Sequence, residues 1–218
     1  MAAKKNPEEM PAEKQQPKED LLREEELMEL LSPTRAIDLR IQRIFEELPE
    51  EGVVLLLEKT GEQAVANARL ARALEKNNVP GVYVTLNKPL DSLLAFFKKQ
   101  KIDGKGFLFV DAITRMTNDE VLEGSNFEYV DSPKNLIDLS DAIEAGIKKI
   151  KSQKKFIIFD SVNTLIVYNK PTVVEKFVHS ISGKMRAWKT KGFFTMTKSA
   201  QEEVTKTIAQ FCDKTEEI

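Results

Sequence analysis

The chain has 218 residues, of which 41% are hydrophobic, and its 33 basic residues nearly balance 35 acidic ones to give a formal net charge of -2. This length and hydrophobic content can fill a sizeable core, so the composition predicts a soluble globular protein. The near-neutral charge excludes a global electrostatic attraction to nucleic acid or to an anionic membrane.

Cysteine and histidine are too few to build the usual cross-linked or zinc-binding frameworks. The one cysteine, Cys212, excludes an intramolecular disulfide, and the one histidine, His179, excludes a zinc site made from Cys and His alone. The N-terminal residues lack an apolar signal core, and no run approaches the roughly 20 apolar residues of a membrane span. We therefore expect a cytoplasmic protein that is neither secreted nor inserted in a membrane.

The N-terminal quarter is predicted to stand apart from the main domain. Residues 1–18 combine three prolines with Lys, Glu and Gln, a composition that predicts a disordered charged tail. Residues 19–49 are predicted to form an amphipathic arm of two helices, with a break at Ser32-Pro33. An apolar stripe follows the second helix at Ile37, Ile41, Ile44 and Leu48. This stripe either packs on the following domain or serves as a dimerisation or partner arm.

Residues 50–218 alternate strand and helix five times, which predicts an α/β domain with a doubly wound, mainly parallel sheet and helices on both faces. The predicted core strands lack alternation, as strands covered on both faces do: Val53–Leu57, Val82–Leu86, Phe107–Val110, Phe156–Phe159 and Phe193–Met196. The predicted helices lie near Glu62–Asn77, Pro89–Lys101, Asn135–Ser152, Pro171–Lys191 and Ser199–Lys214. The short run Phe127–Val130 is either an extra edge strand or part of a long loop.

Polar residues follow the predicted strands, at Glu58, Asn87, Asp111, Asp160 and Thr197. In an open parallel sheet the ligand crevice lies outside the carboxyl ends of the strands, so a site is expected there. Acidic residues at strand ends also cap the helices that follow, which is an equally ordinary role for each one. Glu58, Asp111 and Asp160 place three acidic side chains at these strand ends, and no phosphate-binding lysine accompanies them. Because like charges repel, such a crevice suits a cation or an amine better than a triphosphate.

The loop after the first strand lacks the residues of a phosphate cradle. Such a loop reads G-x-x-x-x-G-K-[ST], because backbone N–H groups wrap the phosphates, the Lys reaches the outer ones and the hydroxyl holds Mg²⁺. Here the segment from Glu58 to Val65 reads EKTGEQAV. Ala64 stands in the position of the lysine, and Val65 stands in the position of the Ser or Thr.

Several segments together resemble the archaeal branch of the RecA/KaiC-like ATPase superfamily. The resemblance runs over about residues 50–215 and is carried by the order VYVTL, LFVD, FIIFDS and FFTMT, with VLLLEKTGEQAVANARL before them. It implies a RecA-like α/β sandwich, ATP binding between subunits, and a role in signalling or regulation. It matches Asp160 to the Walker B carboxylate and Gly61 to one loop glycine, whereas Gln63 replaces the second glycine.

Because the lysine and the hydroxyl are replaced together, we do not expect the ATPase activity implied by the resemblance. The prediction is a non-catalytic pseudo-ATPase with no catalytic residue and no cofactor, which regulates or scaffolds through a protein partner or self-association. The alternative is an ATPase with a non-standard phosphate loop that binds ATP and Mg²⁺. Its ligands would be Thr60, Gly61 and Asp160, with Asp160 and Asp111 as candidate metal ligands and Lys59 in place of the lost lysine.

The remaining reactive or charged residues have structural interpretations. A lone histidine on a helix, His179, is expected to be a packed or half-exposed structural residue. A lone cysteine on the last predicted helix, Cys212, is expected to be a small core residue. The basic runs at residues 148–151 and 154–155 are expected to form a solvated helix end. A nucleic-acid face would require aromatic residues interleaved with this charge, and none lie there in the sequence, so nucleic acid is not expected as a partner.

Overall fold

The computed structural model describes residues 33–117, 121–198 and 202–218. The predicted tail over residues 1–18 and the first helix of the predicted arm lie outside these ranges. Within them the helices are α1 Pro33–Glu47, α2 Gln63–Lys76, α3 Leu90–Lys99, α4 Thr114–Thr117, α5 Leu136–Lys149, α6 Val162–Tyr168, α7 Pro171–Ala187 and α8 Glu202–Ala209. The strands are β1 Val53–Glu58, β2 Gly81–Thr85, β3 Phe107–Asp111, β4 Phe127–Tyr129, β5 Phe156–Asp160, β6 Lys191–Thr197 and β7 Lys214–Glu217.

The strands form one parallel sheet in the order β4-β3-β2-β5-β6-β1-β7. The predicted α/β class with a parallel sheet is therefore confirmed, and the five predicted core strands occupy the middle of the sheet. The run Phe127–Tyr129 is an edge strand that pairs with β3. Because all carboxyl ends lie at one edge, the loops that follow β1, β2, β5 and β6 converge there.

The predicted assignments are wrong in two places near the C-terminus. The predicted helix Ser199–Lys214 ends at Ala209, and Lys214–Glu217 forms β7, which pairs with β1. The predicted helix Pro171–Lys191 ends at Ala187, because Lys189 adopts a positive φ of 51° and the chain then enters β6. A positive φ is incompatible with continued right-handed helix.

Each face of the sheet buries its own hydrophobic core. On one face, alternate strand residues such as Val53 and Leu55 pack against α5 to α8. On the other face, their neighbours Val54 and Leu56 pack against α1, α2 and α3. This arrangement explains the continuous apolar strands, because both sides of each central strand are covered. No helix among the described residues is both long and apolar enough to cross a membrane.

The apolar stripe of α1 packs within the chain on the face that also carries α2 and α3. Ile37, Ile41, Ile44 and Leu48 are all buried in that core. The Lys191 Nζ of β6 donates hydrogen bonds to the carbonyl oxygens of Phe45 and Leu48, at 2.9 and 2.7 Å, and so ties the end of the helix to the sheet. The stripe is therefore occupied and does not need a second chain to cover it.

Truncation of this stripe tests how much the packing stabilises the fold. We expect Ile41→Ala to lower the free energy of unfolding by about 2–5 kcal/mol, because a side chain only 1% exposed leaves a cavity when it is cut back. Urea unfolding measures the change. Leu39→Ala, on the same helix but 36% exposed, is the matched control and should change it by less than about 1 kcal/mol. Equal losses in the two variants would contradict the packing role.

Candidate functional site at the carboxyl ends of the strands

A four-residue loop, 59–62, joins β1 to α2 and is tied down by the first residue of the helix. The backbone N–H of Gly61 donates to Gln63 Oε1 at 3.0 Å, and Gln63 Nε2 donates to Thr197 Oγ1 at 3.0 Å. Gln63 thus links the loop to the end of β6. The Gly61 N–H, which the alternative prediction assigns to a phosphate, is already satisfied within the chain.

The loop residues that the sequence assigns to nucleotide binding do not line the cavity that lies next to the loop. Lys59, Thr60 and Gly61 are exposed, and none of the three lines this cavity. Ala64 does line it, whereas Val65 is 39% exposed. The structure therefore brings Asp160 and the start of α2 together at the site but leaves the loop itself outside it.

Asp160 forms the polar floor of the site at the end of β5. It is 8% exposed, and its carboxylate accepts hydrogen bonds from the Tyr83 hydroxyl at 2.6 Å and from Asn87 Nδ2 at 3.0 Å. Burial raises the pKa of Asp160, and these two hydrogen bonds act in the opposite direction. Asn87 Nδ2 also contacts Ser161 Oγ at 3.2 Å, and the Thr164 hydroxyl donates to Asn87 Oδ1, so α6 joins the same network.

Two buried polar side chains on the elements that flank the loop have no hydrogen-bond partner among the residues that the structure describes. Glu58, at the end of β1, is 0% exposed, and Asn67, on the inner side of α2, is 2% exposed. Burial, and secondarily the negative charge of Asp160, raises the pKa of Glu58 to about 9. Glu58 is therefore a neutral acid at pH 7. In register it lies beside Thr197, which lines the cavity.

The cavity has a volume of about 330 Å³, within the range of small-molecule sites. Its apolar lining residues are Ala64, Leu93, Phe96 and Phe97. Its uncharged polar and acidic lining residues are Gln63, Tyr83, Asn87, Asp160, Ser161, Asn163 and Thr197. Lys88 also lines it, with Nζ 4.7 Å from the centroid of the Phe96 ring. The cavity therefore offers one carboxylate together with amide, hydroxyl and aromatic groups.

Asp111 is separated from Asp160 by strand β2, and its carboxylate caps the starts of α3 and α4. Both residues pair with Thr85, from opposite sides of β2. The Asp111 carboxylate accepts hydrogen bonds from the backbone N–H groups of Leu90, Ile113 and Thr114. In the part of the chain that the structure describes, no group of three or more His, Cys, Asp and Glu residues is placed to hold a metal. The two candidate metal ligands therefore do not converge.

The two reactive side chains to which the sequence analysis gives structural roles lie in the middle of α7 and just after α8. His179 is exposed, and its ring lies 4.8 Å from that of Phe211. Burial raises the pKa of the Cys212 thiol to about 12, and its Sγ donates to the carbonyl of Ile208 at 3.5 Å. A thiol with so high a pKa is a poor nucleophile at neutral pH.

Several residues of the site carry little signal in the sequence. Tyr83 stands in the middle of an apolar strand, where a hydroxyl requires a buried partner, and Asn67 interrupts an apolar helix face. Both positions could have been noticed as polar groups at core positions. Phe96 and Phe97 resemble ordinary core residues of α3, and only the fold shows that they line the cavity.

The parallel sheet with helices on both faces has the RecA-like fold. It is similar to the crystal structure of a KaiC-like protein from the hyperthermophilic archaeon Pyrococcus horikoshii OT3, with a TM-score of 0.54 and 17% sequence identity over 74% of this chain and 69% of that one. Residues 52–218 match the family described as "Family of unknown function (DUF7504)", and the chain belongs to this family. A search of curated proteins finds no match.

Proposed function

We propose that this protein is a non-catalytic pseudo-ATPase of RecA/KaiC-like fold, which regulates or scaffolds a signalling-related process through protein–protein contacts. The observation that carries the proposal is the engagement of the loop with its own chain, through the hydrogen bond from the Gly61 N–H to Gln63. A phosphate cradle requires free loop N–H groups and a lysine. In this loop the Gly61 N–H is already hydrogen-bonded, and Ala64 stands in the position of the lysine. Both features support the interpretation of the loop as a degenerate Walker A loop.

The charges around the loop also disfavour a triphosphate. Asp160 is the acidic group on the cavity floor, and Glu62 precedes the first turn of α2, where a carboxylate competes with phosphate for the positive end of the helix. The residues present therefore do not fit ATP and Mg²⁺, and we derive no catalytic step through them.

Exposed apolar side chains at the same edge of the sheet support a role in protein contacts. Ile137 at the start of α5 and Val167 near the end of α6 are each 78% exposed. Asn169 Nδ2 donates to the carbonyl of Pro133 at 3.0 Å, which holds the end of α6 beside the segment that leads into α5. Both side chains are therefore available for contact with another protein.

The proposal predicts that the protein releases phosphate from ATP no faster than background. Steady-state phosphate release is measured for the wild type and for Asp160→Asn, because the resemblance assigns Asp160 to the Walker B position. We expect equal and negligible release, since the lost lysine and hydroxyl remove several kcal/mol of transition-state stabilisation, about 3–4 kcal/mol for a single donor. Turnover in the wild type that disappears in Asp160→Asn would overturn the proposal.

One observation favours the alternative of an ATPase with a non-standard loop. Lys88 lines the cavity with Asp160 and carries a positive charge to it from the β2 side. Calorimetric titration with Mg-ATP, and with ADP and GTP beside it, separates the two functions. Micromolar ATP affinity that is lost in Lys88→Ala would support the alternative, whereas the absence of nucleotide binding supports the pseudo-ATPase.

A further inference from the structure

A basic groove lies at the amino-terminal edge of the sheet, opposite the candidate site. Two loops form it, residues 150–155 before β5 and residues 188–190 before β6, and they lie side by side because β5 and β6 pair from Phe156 and Lys191 onward. The groove has a volume of about 610 Å³. Its walls include Lys151, Lys154, Lys155, Lys189, Trp188 and Glu50.

The other described residues leave the positive charge of the basic groove largely uncompensated. Among the described residues, the ammonium groups of Lys151, Lys155 and Lys189 have no hydrogen-bond or ion-pair partner. Lys154 contacts Glu50 at 3.5 Å, with both side chains well exposed. The lysines immediately before the groove differ, because Lys148 and Lys149 pair with Glu144 and Glu128. In a chain of net charge -2, the groove is therefore a local positive feature.

Trp188 places an aromatic side chain among these lysines. It is the only tryptophan of the chain, is partly buried, and packs against the core beside α7. Lys184 Nζ lies 5.8 Å from the centroid of its ring. Trp188 therefore contacts the core and the Lys184 ammonium and also contributes to the wall of the groove.

We propose that the basic groove binds an acidic segment of a partner protein, whose carboxylates pair with Lys151, Lys155 and Lys189 while an apolar side chain contacts Trp188. The inference rests on the proposed function, since it requires protein contacts, and it names the chemistry of the partner. Tryptophan is enriched at the energetic centres of interfaces, and complementary charge sets the choice of partner.

Three observations favour an acidic protein segment over nucleic acid. Glu50 stands in the groove, where it would repel closely spaced phosphates but can face an uncharged residue of a peptide. Lys184 Nζ lies over the Trp188 ring, 5.8 Å from its centroid, where it competes with the base stacking that sequence-tolerant nucleic-acid binding uses. The lysines also belong to two short loops and do not form a long track for a backbone.

Trp188 fluorescence provides the test, because the single tryptophan reports from the groove itself. The probe is a nine-residue peptide of glutamate with leucine at every third position, titrated at 50 mM salt, and a peptide with glutamine in place of glutamate is the control. We expect the acidic peptide to change the Trp188 emission and the glutamine peptide to leave it unchanged. Lys151→Gln with Lys189→Gln should weaken binding on the order of tenfold, since two charge pairs are lost.

The matched control variant is Lys98→Gln with Lys99→Gln, which removes the same charge from the exposed end of α3 and should weaken binding less than about twofold. Equal weakening by the two double variants, equal binding of the two peptides, or no binding up to millimolar peptide would each overturn the proposal. Tighter binding of an oligothymidylate of equal charge would overturn it in favour of nucleic acid. Phosphate release and ATP titration report on the opposite edge, so failure of the pseudo-ATPase proposal remains a separate result.

Discussion

Asp111→Ala is expected to lower the free energy of unfolding by roughly 3–5 kcal/mol, since the buried N–H groups of Ile113 and Thr114 lose their acceptor and each such donor costs about 1–3 kcal/mol. Its Oδ1 accepts the N–H groups of Ile113 and Thr114, at 2.6 and 2.8 Å, and its Oδ2 accepts the N–H of Leu90 at 2.7 Å. Asp111 therefore holds the starts of α3 and α4 against the end of β3. Urea unfolding monitored by circular dichroism measures the loss.

Asp111→Asn provides a graded comparison because it keeps one carbonyl oxygen. We expect this variant to lose less stability than Asp111→Ala, since Ile113 and Thr114 keep their acceptor while the new amide faces the N–H of Leu90. Asp91→Ala, an exposed acid at the start of α3, is the surface control and should change stability by less than about 1 kcal/mol. A loss of similar small size in all three variants would show that Asp111 is free for another role, such as metal binding.

The central strands were predictable from the sequence because each of them is a continuous apolar run. The strands from Val53, Val82, Phe107 and Phe156 are covered on both faces, so their sequences are apolar at most positions and contrast with the polar loops around them. A strand in the middle of the sheet is buried on both faces, and its sequence shows this because residues on both faces are apolar. The same argument explains why the fold class agrees with the structure.

The edge strand β7 and the short helix α6 do not have a sequence pattern that identifies them. β7 has the sequence KTEE, alternately half-buried and exposed, and its pairing with β1 comes from backbone hydrogen bonds rather than from apolar side chains. The helix α6 is rich in β-branched residues, including Val162, Ile166 and Val167, which favour strands when the sequence is considered alone. Tertiary packing of Val162 and Leu165 in the core overrides that preference.

The candidate site was predictable only as a set of strand ends. Asp160 and Asn87 follow their strands as expected and contact each other. Tyr83, which completes the environment of Asp160, lies 77 positions away in the chain, and no local pattern connects them. The same holds for the basic groove, where Trp188 joins lysines from the loop before β5. Contacts of this kind depend on strand order, which the sequence left undetermined.

Glu58 is expected to make the stability of the protein fall as the pH rises through neutrality. Its pKa in the folded state is about 9, above the value of 4.5 expected for the unfolded chain, so the folded protein holds one more proton between these values. The stability that protonated Glu58 contributes is complete below about pH 4.5 and is lost as the pH rises toward 9. One proton difference corresponds to about 1.4 kcal/mol per pH unit. From pH 5.5 to 8 the expected loss is roughly 3 kcal/mol.

Glu58→Gln isolates this effect because the amide has nearly the same shape and does not titrate. We expect the free energy of unfolding of wild type minus that of Glu58→Gln to fall by about 1.4 kcal/mol for each pH unit between 5.5 and 8, whatever the constant offset between the two proteins. Glu62→Gln is the control, since it removes a neighbouring carboxylate that lies exposed at the start of α2 and should leave the fall in stability caused by Glu58 in place. Parallel curves for wild type and Glu58→Gln would show that Glu58 is ionised in the folded protein at neutral pH. An ionised Glu58 would need a compensating positive charge, because both of its oxygens are buried without a hydrogen-bond partner among the described residues.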